Sequence, residues 1–234
     1  MPTMGIRLRL FKRLLTIVGA TLSAQRLHQL QMVVNYMKLG RWMAENDFRV
    51  KRRVPDRYAV FGAVAEQVRD KQVLYLEFGV YTGTSMRYWS RALRRPESRL
   101  HGFDSFEGLP EDFDLDGGPY PKGAFDRRGE IPLIDDSRVQ FFKGWFSEVL
   151  PTYQLPKHEV LVIVLDADLY SSTVYVLRYL RPFITPGTFI YFDDMSRPDH
   201  EPRAFKDFMK ESERRFRLIS ADYSLNYSFF ECVR

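Results

Sequence analysis

Strand-like and helix-like segments alternate from residue 72 onwards, and this alternation constrains the fold more than any other feature of the chain. "QVLYLEFGV" (72–80) predicts a strand, "GTSMRYWSRALRR" (83–95) a helix and "SRLHGFD" (98–104) a second strand. Strands that alternate with helices of this length are typical of a mostly parallel sheet with helices on both faces. The sequence therefore predicts an α/β fold.

The alternation continues to the end of the chain. Two closing segments, "FRLISA" (216–221) and "SFFECV" (228–233), could pair as antiparallel strands. With them, seven strands are expected. The remaining strands are predicted at 138–144, 160–166 and 187–194, and the remaining helices at 145–151, 171–182 and 201–215.

The N-terminal part of the chain differs from the rest in charge. Residues 1–60 hold twelve Lys/Arg and three Asp/Glu, whereas the remainder holds 23 Lys/Arg and 27 Asp/Glu. A nucleic-acid enzyme would be basic around its cleft, so we expect no nucleic-acid partner. We divide the chain into a basic helical arm, 1–57, and a domain, 58–234.

The arm begins with an amphipathic pattern in which Leu8, Phe11, Leu15 and Val18 form one stripe. Such a helix could dock on its own domain, on a second subunit or on an anionic membrane surface. Docking on protein is the favoured alternative. A secretory signal is a weaker interpretation, because Thr16 and Gly19 interrupt the apolar run.

Cysteine content and hydropathy indicate the compartment. The chain has one cysteine, Cys232, which excludes an intramolecular disulfide framework and a cysteine-rich zinc site. No stretch approaches the ~18 apolar residues that a membrane span needs. We therefore expect a globular protein in a reducing, cytoplasmic environment.

A glycine turn, residues 79–83 in "LEFGVYTGTS", follows the first predicted strand. Gly79 and Gly83 would let the backbone approach a ligand, and the following helix would offer free N–H groups to an anion. Tyr81 stands where the dinucleotide fingerprint has its middle glycine, so a carboxylate fits better than a pyrophosphate. A turn without any ligand is the alternative.

Asp104 ends the second predicted strand, beside the glycine turn. A carboxylate in this position can accept hydrogen bonds from both hydroxyls of a ribose, although it could also simply cap a helix or loop. Together, the two sites describe a nucleoside with a small anionic tail. S-adenosylmethionine matches that description.

Aspartates follow two later strands that should be neighbours in the sheet. Asp166 and Asp168 come after one strand, and Asp193 and Asp194 end the next. Their mutual repulsion would raise their pKa values unless a cation lay between them, and carboxylate oxygens suit Mg²⁺, Mn²⁺ or Ca²⁺. Asp168 or Asp194 could instead turn towards solvent.

Two further features concern the acceptor side of the cleft. The loop 105–137 is long enough to be a lid. His200, just after the fifth strand, could act as a general base, although surface histidines are more often inert. His158 would lie at the opposite end of the sheet as a solvated loop residue. The aromatic residues Phe106, Trp145 and Tyr170 could wall the pocket.

Five motifs carry a resemblance to a known family. "LEFGVYTGTSMRYWS", "GFDSFEGLPEDF", "KGWFSEVLP", "LDADLYSST" and "GTFIYFDDM" occur in this order, within roughly residues 58–215. They resemble the macrocin O-methyltransferases, which are class I S-adenosylmethionine-dependent enzymes that methylate sugar hydroxyls. The resemblance implies a Rossmann-like methyltransferase fold, a sugar or glycoside substrate, and a homo-oligomer contacted through the arm.

The resemblance also implies roles for individual residues. It places Mg²⁺ on Asp166, Asp193 and Asp194, with Asp166 as the favoured general base and His200 as its alternative. Lys143 would lie near the adenine together with the two residues that follow it. The residues that we predict to bind the cofactor are Glu77, Gly79, Tyr81, Gly83, Thr84, Ser85, Asp104, Ser105, Gly144, Trp145 and Asp166.

Other functions stay open from the sequence. A vicinal diol that chelates the metal is the preferred acceptor, and a catechol would satisfy the same geometry. A methyltransferase-like protein could also bind cofactor or metal without transferring a methyl group. A basic adaptor for membranes or nucleic acid is the third alternative, and the acidic balance beyond residue 60 argues against it.

Overall fold

The computed structural model describes residues 3–50, 53–113 and 120–234, with side chains from residue 7. One sheet organises these residues, and helices cover it. The strands are β1 (Arg53–Val54), β2 (Val73–Phe78), β3 (Arg99–Asp104), β4 (Val139–Lys143), β5 (Val160–Leu165), β6 (Phe189–Phe192), β7 (Phe216–Asp222) and β8 (Ser228–Cys232). The helices are α1 (Thr3–Thr21), α2 (Ala24–Glu45), α3 (Arg57–Val68), α4 (Thr84–Ala92), α5 (Phe146–Val149), α6 (Tyr170–Leu180) and α7 (Glu201–Ser212).

The order of the strands creates a crevice at the centre of the sheet. The order is β1-β7-β8-β6-β5-β2-β3-β4, and β8 alone runs antiparallel to its neighbours. The chain proceeds outward from β2 through β3 to β4, then returns to place β5 on the other side of β2. Ligands of open α/β sheets bind at such a switch point. The predicted α/β fold is confirmed.

The predicted number of strands is wrong, because the described sheet has eight strands and not seven. The additional strand is β1, which pairs in parallel with β7 through Arg53↔Ala221 and Val54↔Asp222. Two residues are too few to show an alternating pattern. The pairing therefore depends on where β7 lies and not on a local signal in the sequence.

Two apolar layers hold the helices against the sheet. Helices α3 and α4 pack on one face, where the ring of Phe61 contacts the rings of Trp89 and Tyr191. Helices α6 and α7 and the C-terminal end of α2 pack on the other face, with Phe205 at its centre. The domain is thus a sandwich of helix, sheet and helix, as its sequence pattern predicted.

The arm consists of two helices that differ in their contacts. In α2, Leu39 and Trp42 are buried, and the Trp42 ring meets Phe48 edge-on at 5.1 Å. In α1, the predicted stripe that includes Leu8 and Phe11 is exposed. The C-terminal end of the arm is therefore part of the core. The partner of α1 and the domain boundary between residues 57 and 58 stay predictions.

The loop between β3 and β4 lies over the carboxyl edge of the sheet, where a lid was predicted. Two isolated bridges, Glu107↔Asp126 and Phe113↔Tyr120, hold its described parts together. Residues 114–119, which belong to the predicted lid, lie outside the described residues. Within the described ranges, no helix is both long and apolar enough to cross a bilayer.

Gly79 is required by the packing of the switch point itself. Its φ is +90°, and a Cβ added there would lie 1.8 Å from the carbonyl oxygen of Asp166. The turn after β2 therefore touches the backbone just beyond β5. Gly187 also has a positive φ of +92°, but a Cβ there would meet no atom within 4 Å.

We expect Gly79→Ala to destabilise the protein more than Gly187→Ala. An alanine at positive φ costs about 1–2 kcal/mol, and the overlap at Gly79 raises the loss to about 3 kcal/mol or more. Urea unfolding of both variants measures the difference. Equal losses at the two positions would show that the close contact with Asp166 is not restrictive.

We expect Trp42→Ala to lower the free energy of unfolding by about 3–5 kcal/mol, because it removes a buried indole from the core. Met37→Ala, on the same helix but 70% exposed, is the matched control and should stay within about 0.5 kcal/mol. Chemical denaturation of the full chain checks both. A small loss for Trp42→Ala would mean that α2 does not contribute to the stability of the domain.

Candidate active site

A cavity of about 650 Å³ opens at the switch point, within the size range of small-molecule sites. The carboxyl ends of β2 to β6 and the lid surround it. Most of the predicted site residues line this cavity. They are Gly79, Tyr81, Asp104, Ser105, Gly144, Trp145, Asp166, Asp193 and Asp194.

Asp104 fixes the glycine turn through hydrogen bonds to the backbone. Its Oδ2 accepts from the N–H groups of Val80 and Tyr81 at 2.8 and 2.9 Å, and its Oδ1 accepts from Phe106 at 2.7 Å. The carboxylate thus joins the ends of β2 and β3. Asp104 thus caps the backbone of the turn and of the loop, which was the structural alternative for this residue, and it also lines the cavity.

Five predicted site residues are not among the described residues that line the cavity. Glu77 and Ser85 are buried, and Gly83 packs against the lid, where an added Cβ would lie 3.1 Å from the Pro132 ring. Thr84 lines a separate surface groove between α3 and α4. The ring of His200 lies edge-on to Phe113 at 4.6 Å, and Phe113 itself lines the cavity.

Glu77 is a buried carboxyl group inside the sheet. It accepts a hydrogen bond from the Tyr75 hydroxyl at 2.8 Å. Burial raises the pKa of Glu77 to about 8, although the hydrogen bond from Tyr75 opposes this shift.

The aspartates at the ends of β5 and β6 converge, as predicted. We call Asp166, Asp168, Asp193 and Asp194 the acidic edge, and all four line the cavity. Asp168, for which an orientation towards solvent was the alternative, instead lines the cavity. Its φ of 58° lies in the left-handed region. All four aspartates that the sequence placed at these strand ends therefore line one cavity.

Burial raises the pKa values of all four aspartates of the acidic edge, and repulsion between carboxylates adds to this effect for Asp166, Asp168 and Asp193. For Asp166, burial is the larger cause and Asp193 the next. Burial, followed by the charge of Asp194, raises the pKa of Asp168 to about 7. The pKa values of Asp193 and Asp194 are also raised by burial, against the opposing effects of Arg57 and Arg197.

Arg57 is a site residue that the sequence analysis missed. Its Nη2 lies 2.6 Å from both carboxylate oxygens of Asp193, and its Nη1 lies 3.5 Å from Oδ2 of Asp166. Burial lowers the pKa of Arg57, but Asp193 and Asp166 outweigh it and hold the pKa above its ordinary value. A cation at the positive end of a helix is unfavourable, so an arginine at the first position of α3 was a usable signal.

Glu201 is the second missed residue. Its carboxylate accepts N–H groups from Ala167 at 3.3 Å and from Asp193 and Asp194 at 3.0 and 3.1 Å. The side chain is fully buried, so these bonds replace water. Glu201 joins the segment after β5 to the segment after β6, and thereby positions the acidic edge from the first turn of α7.

The fit of the acidic edge to a divalent ion depends on its donors and on their arrangement. Its oxygens are the donors that hard cations prefer. Nevertheless, among the described residues, no group of three or more His, Cys, Asp or Glu is arranged to hold a metal ion. Asp193 instead accepts from Arg57 and from the Tyr191 hydroxyl at 2.6 Å. The donor chemistry fits, whereas the arrangement does not.

Aromatic side chains from the lid form the outer wall of the cavity. Tyr120 contacts Phe113 and Phe125 at centroid distances of 6.3 and 5.2 Å, and Phe125 meets Tyr81 at 6.0 Å. The guanidinium of Arg197 lies over Phe113 at 5.3 Å. The cavity therefore combines an aromatic wall with an acidic edge, and Arg197 contacts both. The predicted wall residue Phe106 is buried and is not among the described residues that line the cavity.

We expect the stability of the protein to fall as the pH rises from about 5 to 8, in part because of Glu77. The unfolded chain releases this proton near pH 4.5, whereas the folded protein keeps it until about pH 8. The folded state therefore binds more protons in this window, and its advantage is lost as the pH rises through it. Urea unfolding across this range measures the slope.

Glu77→Gln should reduce that slope, because glutamine cannot ionise. Glu66→Gln, at an exposed position on α3, is the matched control and should leave the slope unchanged. Asp168 contributes in the same direction, so part of the slope should persist in Glu77→Gln. An unaltered slope in Glu77→Gln would contradict the burial of a protonated carboxyl group.

Comparisons with known proteins agree with this architecture. A curated relative from Streptomyces olivaceus, 8-demethyl-8-(2,3-dimethoxy-alpha-L-rhamnosyl)-tetracenomycin-C 4'-O-methyltransferase, is 35% identical over 51% of this chain and 51% of its own length. Mycinamicin III 3''-O-methyltransferase from Micromonospora griseorubida is 29% identical over 53% of this chain and 55% of its own length. The chain thus spans about half the length of the curated relatives it matches.

A solved structure shows the same fold. The O-methyltransferase NovP superposes with a TM-score of 0.51, 24% sequence identity, and coverage of 76% of this chain and 78% of that chain. The family model for macrocin-O-methyltransferase (TylF) matches residues 55–227. The matched residues include strands β2 to β7, the lid and the acidic edge. Because the match covers more than half of the chain, the chain belongs to the macrocin-O-methyltransferase (TylF) family.

Proposed function

We propose that this chain is an O-methyltransferase that transfers the methyl group of S-adenosylmethionine to a hydroxyl group of a sugar or of a glycosylated natural product. One observation carries the proposal. The glycine turn, Asp104 and the acidic edge converge on a single cavity at the switch point of the sheet. Family membership supports the same chemistry.

The cofactor would occupy the part of the cavity between the glycine turn and the end of β4. Gly79 leaves the backbone open there, and Asp104 holds the N–H groups of Val80 and Tyr81 in place. The Trp145 indole, on the far side, offers a flat surface to an adenine ring. We therefore retain S-adenosylmethionine as the cofactor.

The reaction needs alignment and the removal of one proton. As the acceptor oxygen bonds to the methyl carbon, the carbon–sulfur bond breaks, the sulfonium becomes a neutral thioether and the hydroxyl proton passes to a base. Holding the two reactants in line can supply about 7–11 kcal/mol. Asp166, which lines the cavity, is the residue that we propose to accept the proton, and His200 is the alternative.

The acceptor class is suggested by the relatives and by the cavity. One curated relative quoted above is named for the 4'-O-methylation of a rhamnosyl compound, and the other for the 3''-O-methylation of mycinamicin III. The aromatic side chains Tyr81, Phe113, Tyr120 and Phe125 can pack against the apolar face of a sugar ring, while the acidic edge accepts hydrogen bonds from its hydroxyls. We therefore propose a glycoside acceptor.

A divalent ion is the finer part of the proposal. Asp166, Asp193 and Asp194 would hold Mg²⁺, and Mn²⁺ or Ca²⁺ are alternatives with the same oxygen preference. For the partners of the protein, we propose a homo-oligomer that buries the exposed apolar face of α1, with an anionic membrane surface as the alternative.

The proposal is tested by incubating the full chain with S-adenosylmethionine and a panel of glycosides and catechols, with and without Mg²⁺. Mass spectrometry should detect a glycoside heavier by one methylene unit together with an equal amount of S-adenosylhomocysteine. Asp166→Asn should lower kcat by about 10²–10⁴-fold, the usual contribution of a general base. Its dissociation constant for the cofactor should change much less.

Asp199→Asn is the control, because Asp199 lies in the same β6–α7 loop but is not among the described residues that line the cavity. It should keep the activity of the unaltered chain. If calorimetry detected cofactor binding but no acceptor were methylated, the protein would be a binding protein and not a transferase. If only catechols were methylated, the glycoside proposal would be wrong.

A further inference from the structure

The glycine turn, residues 79–83, has a backbone shape that local preference alone does not stabilise. Three of its five residues have a positive φ, which is +90° at Gly79, +51° at Tyr81 and +75° at Gly83. For Tyr81 this region is unfavourable, because its Cβ crowds the backbone. Such a conformation persists only where contacts with the surrounding structure enforce it.

Two side chains outside the turn make these contacts, one beside the cavity and one beside the surface groove between α3 and α4. Asp104, which lines the cavity, accepts hydrogen bonds from the N–H groups of Val80 and Tyr81 at 2.8 and 2.9 Å. Arg87, which lines the groove, donates from Nη1 to the carbonyl oxygen of Thr82 at 2.6 Å. The two side chains thus hold successive peptide groups of the same turn.

The second nitrogen of the Arg87 guanidinium holds the returning segment of the lid. Its Nη2 donates to the carbonyl oxygen of Leu133 at 3.1 Å. The neighbours of Leu133 pack on the turn, since a Cβ added at Gly83 would lie 3.1 Å from Pro132 and 3.4 Å from Ile134. One guanidinium therefore joins the glycine turn to the lid.

The returning segment of the lid is itself fixed along α4. We call residues 131–136 the strap. Its last residue, Asp136, accepts a hydrogen bond from the Ser90 hydroxyl at 2.5 Å and from Nη2 of Arg138 at 2.7 Å. The same nitrogen of Arg138 donates to the Ser90 carbonyl at 2.6 Å. The strap therefore gives Arg87 a fixed point from which to hold the turn.

We propose that Arg87 is a positioning residue for the cofactor, which ties Thr82 to the strap, keeps the glycine turn in its left-handed shape and thereby raises the affinity for S-adenosylmethionine. The inference rests on the proposed function, in which the turn lies against the cofactor. Arg87 is not among the described residues that line the cavity, so it acts through the turn and not by contact with the cofactor.

The test is calorimetric titration of the full chain with S-adenosylmethionine. Arg87→Met should weaken binding about tenfold, because it removes two hydrogen bonds from a charged donor. Arg91→Met is the matched control. Arg91 lines the same groove one turn further along α4, but among the described residues it has no hydrogen bond to the turn or to the strap. Its removal should leave the affinity unchanged.

Arg87→Lys separates the positioning role from a simple attraction between Arg87 and an anionic cofactor tail. Lysine keeps the positive charge but lacks the fork of donating nitrogens that reaches two carbonyl groups at once. Arg87→Lys should therefore bind the cofactor about as weakly as Arg87→Met. Unaltered affinity in Arg87→Lys would show that only the charge matters and would overturn the proposal.

Methyl transfer to a glycoside gives a second readout. In Arg87→Met the KM for S-adenosylmethionine should rise about tenfold, whereas kcat at saturating cofactor should change by less than about twofold, because the acidic edge is untouched. A merely structural loss would reduce the amount of folded protein and leave this KM unchanged. Leu133→Ala should alter neither constant, because its side chain is 92% exposed and Arg87 holds only its carbonyl oxygen.

The proposal is overturned if Arg87→Met binds the cofactor as tightly as the unaltered chain, or if Arg91→Met weakens binding equally. Should circular dichroism show that Arg87→Met does not fold, Arg87→Lys and Arg87→Gln carry the same test. A chain that binds S-adenosylmethionine and methylates a glycoside, but whose affinity is independent of Arg87, refutes this inference alone. An unaltered chain that binds no S-adenosylmethionine refutes the proposed function and this inference with it.

Discussion

The site depends on one constraint, which is that the negative charge of the buried carboxylates at the ends of β5 and β6 has to be compensated. Five carboxyl groups meet there, the four of the acidic edge and that of Glu201. Unpaired, such groups would destabilise the fold by several kcal/mol each. Arg57 and Arg197 provide opposite charge, and backbone N–H groups satisfy Glu201. The acidic edge and the contacts that compensate its charge are therefore inseparable.

The topology of the sheet explains why the site lies where it does. Because β2 and β5 are adjacent and parallel, the turn after β2 and the segment after β5 emerge side by side. Gly79 lets them touch, and Asp104 ties the turn to β3. The cavity is what remains between these segments and the lid. The cavity is thus bounded by the strand ends and by the long loop between β3 and β4.

Arg57 connects the helical arm to this site. It begins α3, immediately after β1, which adds to the far end of the sheet beside β7. The residues that join the arm to the domain therefore reach the acidic edge directly.

The sequence alone determined the α/β class, the order of the elements and the meeting of aspartates at one edge. The spacing of apolar residues within each segment is a local property that identifies strands and helices. In a parallel sheet, the residues that follow the strands then emerge at the same edge. Only the tertiary structure decided what neutralises those aspartates. Arg57 and Asp193 are 136 residues apart, and no local pattern records that contact. For the same reason, the pairing of β1 with β7 and the bond from Ala167 to Glu201 were missed, since both join parts of the chain that lie far apart in the sequence.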